Sequence, residues 1–310
     1  MPRFLCLILF FSYTYYIIDY NIKKKYFKTM KKIEERKKIC SKWFKNLRNS
    51  ICKELENIEK SGEKFKRKSW SRNSDTKKDL GGGEMSILRG KTFEKAGVNI
   101  STVFGNFSDN LKGKIPGTEK SSKFWASGIS VVIHPFSPKI PAVHMNTRHI
   151  ITEKSWFGGG MDITPTNLNS VESKNIAKFF HLKLEEICEE NLKGSYKKYK
   201  KWCDDYFYLP HRQEPRGLGG IFYDYLNTEN WKADFDFTKK VGETFINSYK
   251  KIVNQTINKK WNQSDKKLQI HRRSRYTEFN LLHDRGTKFG LQTNGNIDAI
   301  LMSLPPLTGW

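Results

Sequence analysis

Residues 125–150 read WASGISVVIHPFSPKIPAVHMNTRHI, and this stretch concentrates the groups best suited to chemistry. Two histidines, His134 and His144, bracket a loop with proline at every third position: Pro135, Pro138 and Pro141. Each proline fixes its own φ and restricts the residue before it, so the link is stiff. Strand side chains alternate between faces. That sets Ser130, Val132 and His134 together in GISVVIH, and His144, Asn146 and Arg148 together in VHMNTRHI. If the two runs pair as a hairpin, one surface carries a hydroxyl, two imidazoles, an amide and a guanidinium. These are the groups of proton transfer, anion binding and metal ligation. A preorganised polar surface on rigid strands is what a site needs, although a solvent-facing sheet can look the same.

Other segments add candidates. WFGGGMDITP places three glycines before Asp162. Glycines let a ligand or another backbone approach closely, and equally mark a bulge or tight corner with Asp162 as a turn residue. The spacing is neither a dinucleotide fingerprint nor a phosphate loop. His181 borders the apolar stripe of Ala177, Leu184 and Cys188, where a satisfied core histidine is the plainer reading. His211 lies in LPHRQEPRGLGG beside Arg212, Glu214 and Arg216, a loop that can bind anions through arginine forks or serve structure alone. His134, His144, His181 and His211 together could hold a metal, but their spacing matches no metal motif. No nucleophile elbow and no nucleic-acid reading module is present.

These residues need elements to position them. From residue 96 the chain is a series of short strand-like runs: GVNISTVFG, SGISVVIH, AVHMNTRHIITE, SWFGGGMDITP, GGIFYDYL, YTEFNLLH, KFGLQ and IDAILMSL. HDRGTK and TNGN read as tight turns between the last three. Helical spacing marks residues 170–192 and 236–261, and SYKKYKKWCDDYFY opens another helix. Strands in sequence with helices inserted between them define an α+β fold, one antiparallel sheet flanked by helices. Upstream, residues 31–59 form an amphipathic helix with a basic outer face, and residues 61–83 a polar connector ending in three glycines. Residues 84–310 form the main domain.

The net charge is +24, from 56 Lys+Arg and 32 Asp+Glu. Residues 20–78 hold 21 basic and 7 acidic side chains, so more than half of the excess lies in this basic arm. It suits an anionic partner such as a membrane surface, nucleic acid or polycarboxylate, or it solvates a lysine-rich helix. The five cysteines form no CxxC pair, which favours a reducing compartment and a cytoplasmic location. Residues 1–30 include FLCLILFFSYTYYII, an apolar run that reads as an anchor, an organelle leader or sequence upstream of the true start at Met30.

Taken together, FEKAGVN (93–99), ASGISVVIHPFSPKIPAVHMNTR (126–148), WFGGGMDITP (156–165), FFHLKLEEIC (179–188), KKWCDDYFYLPHRQEPRGLGGIFYD (200–224) and YTEFNLLHDRGTKFGLQT with ILMSLPP (276–306) resemble one family closely. It is the oxygen-dependent coproporphyrinogen III oxidases of haem biosynthesis. The resemblance implies oxidative decarboxylation of two propionates of coproporphyrinogen III to vinyl groups, giving protoporphyrinogen IX. Molecular oxygen is the co-substrate, and no cofactor is required. It implies a flat sheet with helices on both faces, and a homodimer through the region from Tyr276. By the same resemblance His144 is a proton donor and Asp162 holds the pyrrole N–H groups. Ser130, Asn146, Thr147 and Arg148 contact substrate. By charge and geometry, Arg148 and Arg216 can pair with propionates. Bacterial members of the family are described with divalent metal at the histidines matched by His134, His144, His181 and His211, which is the minority reading for this chain. Asp162→Asn is expected to lower turnover sharply and leave the fold intact.

The chain departs from the family pattern in two places. The turn before ILMSLPP holds Asn294, Gly295 and Asn296 where the family has an arginine, so Arg285 or Arg275 must supply that propionate contact, or it is lost. The chain also stops at Trp310, where the family pattern continues. A non-catalytic basic binding protein and a histidine-metal oxygenase or hydrolase are the competing readings.

Overall fold

A computed structural model describes residues 3–73, 78–292 and 295–310. It divides into two units, Met1–Trp43 and Phe44–Trp310. The first is part of a long helix, α1 (Arg3–Ile58), on which Lys31, Lys32, Lys38 and Lys42 are exposed. Among the described residues no helix is long and apolar enough to cross a membrane.

The second unit is built on a seven-stranded antiparallel sheet. In chain order its strands are β1 (Lys66–Asn73), β2 (Asp79–Leu88), β3 (Phe93–Asn106), β4 (Lys123–Pro135), β5 (Ala142–Ile151), β6 (Ser155–Thr164) and β9 (Gly220–Leu226). They lie side by side in that order. Two-residue strands β7 (Tyr208–Leu209) and β8 (Glu214–Pro215) pair separately. The predicted hairpin of β4 and β5 forms, with Ser130 opposite Asn146 and Val132 opposite His144. On β5 every second side chain from Val143 to Ile151 is buried and the intervening ones are half-buried.

That alternation divides the sheet. One face carries Val98, Val131, Val143, Met145 and Ile163, all essentially inaccessible. The C-terminal part of α1 and the helix α4 (Trp231–Thr256) pack on this face. Leu47 lies so close to Gly242 that a Cβ there would approach within 2.4 Å, and the Phe93 and Tyr249 rings are 6.3 Å apart. Helices α2 (Val171–Asn191) and α3 (Ser195–Tyr206) precede β9. The opposite face is polar. Its lower part is covered by a C-terminal run of α5 (Gln263–Glu278), a π-helical turn (Phe279–His283), α6 (Arg285–Gln292) and α7 (Ile297–Leu301). Three sheet side chains donate to backbone carbonyls of α7 and the segment after it: Asn99 to Ala299 (2.9 Å), His134 to Ser303 (2.8 Å) and Lys95 to Leu304 (2.7 Å).

Two expectations fail here. Residues 61–83 are not a connector: they contain β1 and the start of β2, whose polar residues tolerate an edge position. The last three strand-like runs are helical. Short apolar runs fit either period, and side-chain caps decide for helix. Asn262 and Asp265 form a capping box at α5, Asp284 accepts from Thr287 N (2.6 Å) at α6, and Asn296 accepts from Ala299 N (2.9 Å) at α7.

The proline loop is held from outside. Proline removes donors but keeps its carbonyl, and these carbonyls find partners. Pro135 O accepts from Gln269 (3.1 Å) and Arg273 (2.9 Å), and Pro141 O accepts from Tyr249 (3.2 Å).

Candidate active site

The polar sheet face brings six side chains into one chain of hydrogen bonds. Arg216, on the loop after β8, pairs with Asp162 Oδ2. Asp162 Oδ1 meets His144 Nδ1 at 2.9 Å, as their opposite positions on β6 and β5 require. His144 Nε2 lies 3.2 Å from Asn146 Nδ2, and Asn146 Oδ1 accepts from Arg148 Nη1 at 3.1 Å. Arg148 Nη2 donates to Asp224 Oδ2 on β9 at 2.7 Å.

Donor and acceptor chemistry orients the middle of this relay. Arginine only donates, so the Asn146 oxygen must face Arg148 and its NH2 must face His144. His144 Nε2 is therefore the acceptor, and Nδ1–H donates to the ionised Asp162. In this arrangement the Nε2 lone pair is taken up by the Asn146 amide.

Asp162 is enclosed, at 2% exposure, and both its oxygens are engaged. Burial pushes its carboxyl up, but Arg216 and the His144 hydrogen bond together outweigh burial and hold it below the usual carboxylate range. Arg216 is equally enclosed. Its guanidinium carbon lies 3.9, 4.5 and 4.9 Å from the ring centroids of Phe207, Tyr276 and Phe279. In this arrangement Arg216 is the partner of Asp162. Asp162 and Arg216 reach the wall of a cavity of about 570 Å³ that also touches Cys203, Phe207 and Gly217–Gly219.

His144, Asn146, Arg148 and Ser130 remain half-buried on the same face. Thr147 does not join them. It points to the opposite face and is fully buried, and its hydroxyl has no partner. Arg285 is exposed at the start of α6, its guanidinium carbon 5.1 Å from the Tyr206 ring centroid. Arg275 pairs with Glu214 (2.9 Å). Gly295 and Asn296 sit at the start of α7, where Asn296 is occupied as its cap; Asn294 lies outside the described residues.

The four histidines do not gather. His134 is buried, donates to Ser303 O, stands edge-on to Tyr276 at 4.9 Å, and is pushed down to about 3 by burial. His181 donates to Leu218 O (2.8 Å) and accepts from Tyr196 (3.0 Å). His211 donates to Glu278 (2.8 Å) and accepts from His283 (3.0 Å). Among the described residues no three His, Cys, Asp or Glu side chains form a metal-holding group. The metal reading of these four therefore loses its geometry.

Asp224 was missed by sequence reasoning. Its signal was parity: on β9 it shares a face with Gly220, the residue opposite Asp162. A bulge refines its aim, because Asp224 and Tyr225 together oppose Gly158 on β6.

Fold and site thus define an α+β protein with a buried ion pair behind a histidine and an arginine on the polar face of the sheet. The family model described as coproporphyrinogen III oxidase matches residues 39–310. Among curated relatives, an oxygen-dependent coproporphyrinogen-III oxidase of Rickettsia rickettsii (strain Sheila Smith) is 52% identical over 280 residues, covering 88% of this chain and 97% of the relative. One of Rickettsia bellii (strain RML369-C) is 51% identical over 286 residues, covering 89% and 99%. The chain belongs to the coproporphyrinogen III oxidase family.

Proposed function

We propose that the chain catalyses the oxygen-dependent oxidative decarboxylation of two propionates of coproporphyrinogen III, yielding protoporphyrinogen IX in haem biosynthesis. Each propionic acid side chain loses carbon dioxide and the two hydrogens that O2 carries off as hydrogen peroxide, leaving a vinyl group. The observation that carries this reading is the relay from Arg216 to Arg148, set on an open sheet face in a member of this family.

Arg148 offers a guanidinium edge to a substrate carboxylate, a charge-assisted contact that fixes the reacting side chain. Asp162, at the cavity wall, faces the pyrrole N–H groups, His144 manages the proton, and a pyrrole ring relieved of its proton is electron-rich enough to meet O2. Asp162 and Arg216 steady the charge that then appears on His144. Ser130 and Asn146 complete the contact surface.

A homodimer through the region from Tyr276 belongs to this reading. It is supported by the exposed apolar side chains Leu281, Leu282, Leu291 and Ile297. A reducing, cytoplasmic setting is supported by the buried free thiols Cys52, Cys188 and Cys203, of which burial pushes Cys188 up to about 11.

The test is incubation with coproporphyrinogen III in air and without oxygen, reading protoporphyrin fluorescence after oxidation. Product in air only is expected. Equal product without oxygen, or none in air, sinks the reading.

A further inference from the structure

We infer that Asp224 is a positioning residue whose hold on Arg148, passed through Asn146, sets the tautomer of His144. The inference rests on the reading of His144 as the proton-handling group.

Three observations meet at Asp224. Its Oδ2 accepts from Arg148 Nη2 at 2.7 Å, while Oδ1 accepts from Tyr225 N at 3.0 Å. Tyr225 has φ 54°, a left-handed backbone that a non-glycine residue rarely adopts, and it sits in the β-bulge. Opposite the bulge, Gly158 leaves room for the pair. A Cβ there would come within 2.5 Å of Asp224 Oδ1 and 3.0 Å of Arg148 Cζ. Bulge, backbone strain and glycine converge on one ion pair, with side-chain exposures of 12% for Asp224 and 30% for Arg148.

The consequence runs along the relay. With Nη2 tied to Asp224, Arg148 aims Nη1 at Asn146. That contact decides which end of the amide faces His144. While the amide nitrogen faces Nε2, a proton on Nε2 is disfavoured, and the ring's proton stays on Nδ1 against Asp162. Without Asp224 the arginine swings, the amide is free to turn its oxygen toward Nε2, and Nε2 is no longer held as an acceptor. Asp162 favours the same tautomer from the Nδ1 side, and Asn146 secures it from the Nε2 side. The Phe207 ring, edge-on at 6.0 Å, and the charge of Asp284 also face His144 but make no hydrogen bond to it.

The experiment is nitrogen-15 NMR of histidine-labelled full-length protein without substrate, alongside aerobic turnover. Wild type is expected to show His144 protonated at Nδ1 only. Asp224→Asn is expected to mix the tautomers and lower kcat by about 10-fold or more, with a displaced pH–rate profile. Gly158→Ala crowds the same pair without altering any relay side chain and carries the same expectation, should Asp224→Asn fail to fold. Asn146→Asp presents an acceptor to both neighbours and is expected to change the His144 nitrogen-15 spectrum as well. An unchanged His144 spectrum in all folded variants overturns the inference, whatever the activity. A wild type with the expected tautomer, altered by the variants, but without aerobic turnover supports the relay and sinks only the functional reading.

Discussion

Arg216 and Asp162 are both about 2% exposed and form one buried ion pair, with the guanidinium carbon 3.9 Å from the Phe207 ring centroid. Removing one member leaves the other charge buried without compensation, which typically costs about 3–5 kcal/mol. Asp162→Asn is therefore expected to destabilise the fold as well as to lower turnover, contrary to the expectation from sequence that only turnover suffers. Thermal unfolding measured beside turnover decides it, and an unchanged Tm would contradict the pairing.

Stability should fall on acidification. Glu278 is held at about 2, chiefly by the Arg212 hydrogen bond, with His211 and Trp310 helping. In Glu59 burial raises the carboxyl, but backbone N–H groups of Phe93, Thr92 and Ser61 more than offset it. Carboxyls with depressed folded values stabilise above their unfolded pKa, about 4.3 for Glu, and lose that contribution as pH falls toward the folded value. His134, lowered by burial to about 3, acts in the same direction from its unfolded value of about 6.5 downward. Urea midpoints between pH 7 and 3 should drop steadily, and Glu278→Gln should flatten the most acidic part of that curve.

Thr147→Val should leave activity within about 2-fold and stability equal or higher. The Thr147 hydroxyl is buried without a partner on the face away from the relay, so removing it relieves an unmet polar group. Steady-state kinetics check this; a large rise in KM would show that Thr147 reaches substrate after all.

Asn296→Arg restores the arginine of the family pattern, yet it removes the cap of α7. Losing such a cap costs about 1 kcal/mol, and α7 is what Asn99 grips through Ala299 O. A lower Tm with no improvement in KM is expected. An improved KM at unchanged Tm would show that the side chain can reach a propionate from this turn.

Much of the site was legible because strand parity is local. The spacing of His144, Asn146 and Arg148, and of Ser130 on the neighbouring strand, puts them on one face whatever the rest of the chain does. Thr147 fails by the same rule, since a residue between two same-face neighbours must point away. The α+β architecture also followed from local runs and their order. The segment from Tyr276 to Leu304 did not, because its short apolar runs satisfy both periods until caps and packing partners are present.

The sequence by itself determined which residues share a face and which strands form a hairpin, since both follow from backbone geometry over neighbouring residues. Only the tertiary structure decided who pairs with whom across distance. Arg216 lies 54 positions from Asp162, and Asp224 lies 76 from Arg148. Such contacts depend on how a loop and an added strand return to the sheet, and on a bulge opposite a single glycine. That return gave Asp162 a buried counter-ion in Arg216, and it brought an unforeseen aspartate to the end of the relay.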